Sequence, residues 1–206
     1  MLDTDRAIEW VPGTNSYYFV RESSTGRQLV VVDVSTGKER IAANGLPDSY
    51  FMFSPTADFL VVSRNVEGPK DDADVHQFVS PDDRMPGWRN RTVLEKFDLA
   101  TGFVQPLTFG YNNVMAMNIS RDGRYLLYMV SRQHLEKRPT TLFSIHRLDL
   151  QTMADETLVA DDGFIGNATF SPDGKSIAVV GSPEAFGGIG KNLPADRIPS
   201  MVDNQV

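Results

Sequence analysis

Phe170-Ser-Pro-Asp-Gly174, followed by the apolar run Ile177-Ala-Val-Val180, is the clearest structural signal in this 206-residue sequence. Proline presets φ for a turn, aspartate caps the turn through its side chain, and glycine accepts a positive φ. The motif therefore predicts a tight turn that joins two antiparallel strands. Related motifs, each followed by an apolar or aromatic run, stand at three earlier places: Trp10-Val-Pro-Gly, Phe53-Ser-Pro-Thr and Ile119-Ser-Arg-Asp-Gly123.

A second motif follows each of the first three hairpins. It is an apolar strand that ends in aspartate and a turn: Asp33-Val-Ser-Thr-Gly37, Asp98-Leu-Ala-Thr-Gly102 and Asp149-Leu-Gln-Thr-Met153. A further short strand comes after each of these turns. Each repeat thus has four antiparallel strands, which is the composition of a β-propeller blade. Either motif alone is common in antiparallel proteins, but the fixed alternation of the two indicates a repeat.

The first motifs begin 43, 66 and 51 residues apart. These intervals approach the roughly 40 to 50 residues of blade repeats once an insertion in the second repeat is removed. We predict an all-β fold, a partial β-propeller with about three complete blades and half of a fourth, in a single fragment over residues 1–206. The blades are expected at about residues 6–43, 49–109, 114–160 and 166–206, with the last one incomplete.

An incomplete propeller is expected to expose apolar sheet faces and strand edges, because the terminal blades are buried only when the ring closes. We therefore expect the sequence to be a piece of a longer protein. A homodimer formed through the open edges, an exchange of strands, or curling into a small closed assembly would each cover these surfaces. The sequence does not choose among the three.

The predicted strands place the long connections on one side of the sheets. Turns between strands one and two, and between strands three and four, are short, whereas the connections between strands two and three are elaborated. These are expected at residues 22–28, 65–92, 131–141 and 181–203. Binding sites usually lie in such loops on a rigid scaffold, so this side is the predicted functional face.

One of these connections contains a candidate binding loop. Its basic residues flank a tryptophan, a combination that could bind a carboxylate or pack against another domain. The candidate residues are Arg84, Trp88, Arg89 and Arg91. The alternative is that Trp88 fixes the loop to its own blade while the arginines pair with Asp82 and Asp83.

The sequence offers no catalytic, cofactor or metal site. It lacks cysteine and a Gly-x-Ser-x-Gly motif, and its three histidines, His76, His134 and His146, have no ligand spacing. The glycine-rich stretch 185–192 does not match a phosphate-binding loop. A net charge of −7 disfavours nucleic acid as a partner, and no apolar run approaches the roughly 18 residues of a membrane helix.

The alternation of Phe-Ser-Pro-Asp-Gly-Lys with Asp-Leu-x-Thr-Gly over nearly the whole chain resembles the propeller repeats of prolyl oligopeptidase and dipeptidyl-peptidase IV-like serine peptidases. TolB-like periplasmic propellers use similar repeats. The long connections resemble the peptidases more. The resemblance implies an extracytoplasmic, non-catalytic propeller that gates or positions a peptide for a C-terminal hydrolase domain absent from this chain. The alternative is a TolB-like or free-standing interaction propeller. Some of those peptidases bind the substrate's amino terminus through paired glutamates, and no adjacent pair occurs here.

Overall fold

The computed structural model describes residues 7–24, 26–68, 90–192 and 196. Its regular secondary structure is almost entirely β-strand, with one short helical turn near the end. The strands and helix, in chain order, are β1 Glu9–Trp10, β2 Ser16–Ser23, β3 Gly26–Asp33, β4 Glu39–Leu46, β5 Phe51–Phe53, β6 Phe59–Val66, β7 Arg91–Asp98, β8 Val104–Pro106, β9 Asn113–Ile119, β10 Tyr125–Gln133, β11 Thr141–Asp149, β12 Asp155–Asp162, β13 Ile165–Phe170, β14 Ile177–Gly181 and α1 Ala185–Gly188. In this described part, no helix is both long and apolar enough to cross a membrane.

Consecutive strands pair into four antiparallel sheets. Three of them have four strands each, in the orders β1–β2–β3–β4, β5–β6–β7–β8 and β9–β10–β11–β12, and the fourth contains β13 and β14. The connection between β2 and β3 is shorter than predicted. Pairing continues to Ser23 and Gly26, so this connection is a tight turn and not an elaborated loop.

The chain divides into two compact units, Met1–Arg64 with Leu94–Thr108, and Asn65–Val93 with Phe109–Val206. In the first unit, the sheet β1–β4 packs face to face on the β5–β6 hairpin. Tyr18, Leu29 and Val31 from the first sheet form a buried cluster with Leu60 and Val62. The other face of the first sheet is also buried, at Phe19, Val30 and Val32. The apolar run of β3 therefore has both of its faces covered.

The second unit has its own core between the sheet β9–β12 and the β13–β14 hairpin. Leu127, Met129 and Ile145 contribute from the four-stranded sheet, and Ile165 and Ala168 contribute from the hairpin. Ala185 at the start of α1 joins the same cluster. Packing against this core fixes the end of β14 and the helical turn beside the β12–β13 connection.

A serine anchors the hairpin turn in three of the repeats. The Oγ atoms of Ser54, Ser120 and Ser171 each accept a backbone N–H from five residues ahead, at 3.3, 2.8 and 3.0 Å. Each hydroxyl also donates to an aspartate of its own turn. The three turns differ in burial, because Ser54 is fully buried and Ser171 is partly exposed.

The second motif forms turns closed by an aspartate. The Oδ1 atoms of Asp33, Asp98 and Asp149 accept the backbone N–H from three residues ahead, at 2.9, 2.8 and 3.1 Å. The side chain of Asp149 also binds Arg124 through Nε and Nη2, at 3.1 and 2.8 Å. Hydrogen bonds from Arg124 lower the pKa of Asp149 to about 2.

Replacement of Ser54 by alanine is expected to destabilise the chain more than replacement of Ser171. Ser54→Ala leaves the buried N–H of Phe59 without its acceptor, at a cost of about 1–3 kcal/mol in the free energy of unfolding. Ser171→Ala exposes the equivalent N–H to water and is expected to cost less than about 1 kcal/mol. Urea unfolding of both variants measures the difference. Equal losses would contradict the role of burial.

The Asp149–Arg124 pair is expected to stabilise the chain only above an acidic threshold. Because the folded pKa of Asp149 is about 2, below the ordinary value of 3.8, its contribution is complete above about pH 4 and is lost as the pH falls toward about 2. The difference in unfolding free energy between wild type and Asp149→Asn is therefore expected to shrink across that range in urea titrations. Arg124→Gln is expected to give a smaller change over the same range, because the backbone N–H groups of Gln151 and Thr152 still bind the carboxylate. A difference that stays constant down to about pH 2 would contradict this assignment.

Candidate functional site

An open cleft of about 520 Å³ lies in the second unit, beside the ends of β10 and β12. Its walls come from the β10–β11 connection, the turn between β12 and β13, and the segment around α1. The residues that line it are Arg132, His134, Lys137, Arg138, Pro139, Leu142, Asp161, Asp162, Gly163, Phe164, Glu184 and Gly187. The β10–β11 connection is one of the elaborated connections that the sequence marks as functional.

Hydrogen bonds hold the cleft walls in place. The N–H of His134 donates to the carbonyl of Thr140 at 2.7 Å and closes the β10–β11 connection. Arg132 binds both carboxylate oxygens of Asp161, at 2.8 Å each, and so ties β10 to β12. These bonds lower the pKa of Asp161. Asp161 has a positive φ of 51° and lies just before the end of β12, where the pairing with β11 shifts register between Val159 and Asp162.

Asp162 joins the turn after β12 to the helical turn α1. One carboxylate oxygen accepts the N–H of Phe164 at 2.8 Å, and the other accepts the N–H of Phe186 at 2.7 Å. The neighbouring Glu184 forms an ion pair with Lys191. All three acidic side chains of the cleft thus have partners within the protein.

Two basic side chains of the cleft differ from its acidic side chains in having no partner among the described residues. Lys137 and Arg138 are exposed, and neither forms a hydrogen bond or an ion pair with any residue that the structure describes. The Nδ1 atom of His134 is buried and, among the same residues, has no hydrogen-bond partner. A buried polar atom without a partner costs free energy.

The predicted binding loop is described only in part. Arg84, Trp88 and Arg89 lie outside the described residues, so the loop stays a prediction. Arg91 is the first residue of β7, and its guanidinium lies over the ring of Tyr111, 5.0 Å from the centroid. The described ranges hold no group of three histidine or acidic side chains able to bind a metal ion.

The cleft residues were not singled out from the sequence. The available signal was the cluster of basic side chains at His134, Lys137 and Arg138 in a connection already predicted to be elaborated. Their acidic neighbours come from a different connection more than 20 residues away, and only the sheet pairing brings the two segments together.

Comparison with known proteins identifies the fold. The chain is similar to TolB from Acinetobacter baumannii, at 19% identity and a TM-score of 0.53, over 87% of this chain and 39% of that one. The sheets are blades of a β-propeller. The predicted fold class is confirmed, with three four-stranded blades and half of a fourth.

The chain is also similar in fold to structures of peptidases. The chain is similar to an acylaminoacyl peptidase from Pyrococcus horikoshii, at 17% identity and a TM-score of 0.57, over 86% of this chain and 28% of that one. The chain is also similar to the tricorn protease, at 16% identity and a TM-score of 0.57, over 87% of this chain and 16% of that one. The chain thus spans well under half of these structures. Neither a protein-family model nor a curated protein sequence matches it.

Gly163 is expected to be necessary for the shape of the cleft. A Cβ atom at this position would lie 2.1 Å from Cγ of Pro139 and 3.0 Å from the carbonyl oxygen of Thr141. Gly163→Ala must displace the β10–β11 connection and is expected to lower the free energy of unfolding by about 1–3 kcal/mol.

Gly166→Ala provides the matched control, because the nearest atom to its new Cβ is the carbonyl oxygen of Val180 at 3.4 Å. It is expected to cost less than about 1 kcal/mol. Urea unfolding measures the two variants side by side. A Gly163→Ala protein as stable as the control would show that the connection moves freely.

Proposed function

We propose that this chain is the non-catalytic β-propeller portion of an extracytoplasmic serine peptidase, and that it positions peptide substrate for a hydrolase domain outside the chain. The observation that carries the proposal is the cleft beside β10 and β12, whose walls belong to the connection side of the blades. Its volume of about 520 Å³ lies in the range of sites for small ligands and short peptide segments.

Three further observations support this function. The sequence lacks the Gly-x-Ser-x-Gly motif, so the chemistry is assigned to another domain. Two of the similar structures are peptidases, an acylaminoacyl peptidase and the tricorn protease, and the chain covers only 28% and 16% of them. The apolar wall formed by Pro139, Leu142 and Phe164, next to polar groups, suits a peptide side chain.

A second candidate function is that of an interaction propeller, TolB-like or free-standing. The similarity to TolB from Acinetobacter baumannii favours it, since the TM-score of 0.53 and the identity of 19% are close to the 0.57 and 17% for the acylaminoacyl peptidase. In this case the same cleft would dock a segment of a partner protein. The two functions share the binding face and differ in the domain that is joined to the propeller.

The coding sequence beyond Val206 distinguishes the two functions. A Gly-x-Ser-x-Gly motif followed by aspartate and then histidine is expected if the chain belongs to a serine peptidase. A reading frame with only further blades would overturn the peptidase role and leave the interaction propeller.

In the peptidase encoded by the whole reading frame, Phe164→Ala is expected to lower kcat/KM for peptides about three- to tenfold. The substitution removes one apolar contact of about 1 kcal/mol from the cleft wall. Hydrolysis of a small chromogenic ester, which does not fill the cleft, is expected to be unchanged. Phe103→Ala is the control, because Phe103 is an exposed phenylalanine in the other unit. Equal losses for peptide and ester, or no loss for either, would contradict a positioning role.

A further inference from the structure

We propose that the cleft binds a carboxylate carried beside an apolar side chain of the peptide. The inference rests on the proposed peptide-binding role of the cleft and names the chemistry that it recognises. The basic groups are Lys137 and Arg138 at the rim, together with the imidazole of His134. Both rim cations lack a partner in the described part of the chain, so their donors are open to a ligand.

The acidic side chains of the cleft do not compete for these cations. Asp161 is held by the guanidinium of Arg132, with both oxygens engaged at 2.8 Å. Asp162 accepts two backbone N–H groups, and Glu184 is paired with Lys191. The acidic side chains of the cleft are therefore already engaged, whereas Lys137 and Arg138 are not engaged by any described residue. An acceptor group with a negative charge matches them.

His134 also lines the cleft. Its Nδ1 atom is buried, and no described residue bonds to it. In the tautomer with the proton on Nδ1, the ring can donate a hydrogen bond to a ligand oxygen only after a rotation that exposes this atom. The exposed rim cations are therefore the groups that a carboxylate meets first.

The apolar wall and the carboxylates of the cleft favour a carboxylate ligand over a phosphate. Pro139, Leu142 and Phe164 give the cleft an apolar wall, which favours a ligand with an apolar group close to its charge. Three carboxylates line the same cleft, so a doubly charged phosphate would meet more repulsion than a singly charged carboxylate. A peptide that ends in an apolar residue, or one with an acidic residue beside an apolar one, has the required pair of groups.

Fluorescence anisotropy on the full chain tests the proposal with three labelled pentapeptides. The first ends in leucine with a free carboxyl group, the second is its C-terminal amide, and the third is an amide with aspartate beside the leucine. The free acid is expected to bind about tenfold more tightly than the plain amide, and added salt is expected to reduce the difference. If the aspartate peptide binds as well as the free acid, the carboxylate comes from a side chain. If it binds like the plain amide, the carboxylate comes from the C-terminus.

The double variant Lys137→Gln/Arg138→Gln is expected to abolish the preference for the carboxylate. The control, Arg121→Gln/Lys175→Gln, removes the same charge from exposed turns of the same unit and is expected to keep it. His134→Phe is expected to weaken the preference without removing it.

Equal binding of the free acid and the amide by the unmodified protein overturns the carboxylate inference alone, and the peptide-binding role stands. If the control variant also loses the preference for the carboxylate, the carboxylate inference is overturned as well, because the net charge of the protein would then cause the preference. No binding of any of the three peptides overturns both.

Discussion

Burial of both faces of a sheet is the constraint on which the rest of this structure depends. In β3 the side chains of Leu29 and Val31 enter one core cluster, while Val30 and Val32 enter another on the opposite face. A run of apolar residues cannot leave one face in water without losing roughly 25 cal/mol for each Å² of apolar surface. The sheet β1–β4 must therefore be covered on both of its faces.

The turns show how a repeated motif holds its shape when individual residues change. Ala57 and Met153 adopt positive φ angles of 58° and 60°, where other copies of the motifs have glycine. The hydrogen bonds of the turn remain, including that from the N–H of Met153 to the carbonyl of Asp149 at 2.8 Å. The serine and aspartate side chains together with the strand pairing therefore impose the turn, and glycine only lowers its cost. Because those polar residues recur at fixed places, the number and order of the strands could be predicted from the sequence.

Strand ends and the candidate site were less accessible to prediction. Pairing between β2 and β3 extends to Ser23 and Gly26 through polar residues such as Arg27, which forms an ion pair with Glu22. Because these residues are polar, the pattern of apolar residues does not indicate that they belong to strands. The cleft depends on contacts between distant segments. Neither Arg132 nor Asp161 belongs to a local motif, and the small size required at Gly163 is evident only when Pro139 lies against it. Connection length could indicate the side of the blades on which the cleft lies, but it could not indicate the residues that line the cleft.

The two sides of the blades use their polar groups differently. On the short-turn side, Asp33, Asp98 and Asp173 direct their oxygens to donors of their own turns, which lower the pKa of each carboxyl. The side chains of Arg121 and Lys175 on that side also lack partners among the described residues, but they lie on exposed turns. On the connection side, Lys137 and Arg138 share a cleft with a buried imidazole and an apolar wall. Partial enclosure lowers the local dielectric and strengthens charge interactions. The net charge of −7 does not indicate where this cleft lies, because many of the acidic groups that contribute to the charge belong to the turns and ion pairs of the scaffold.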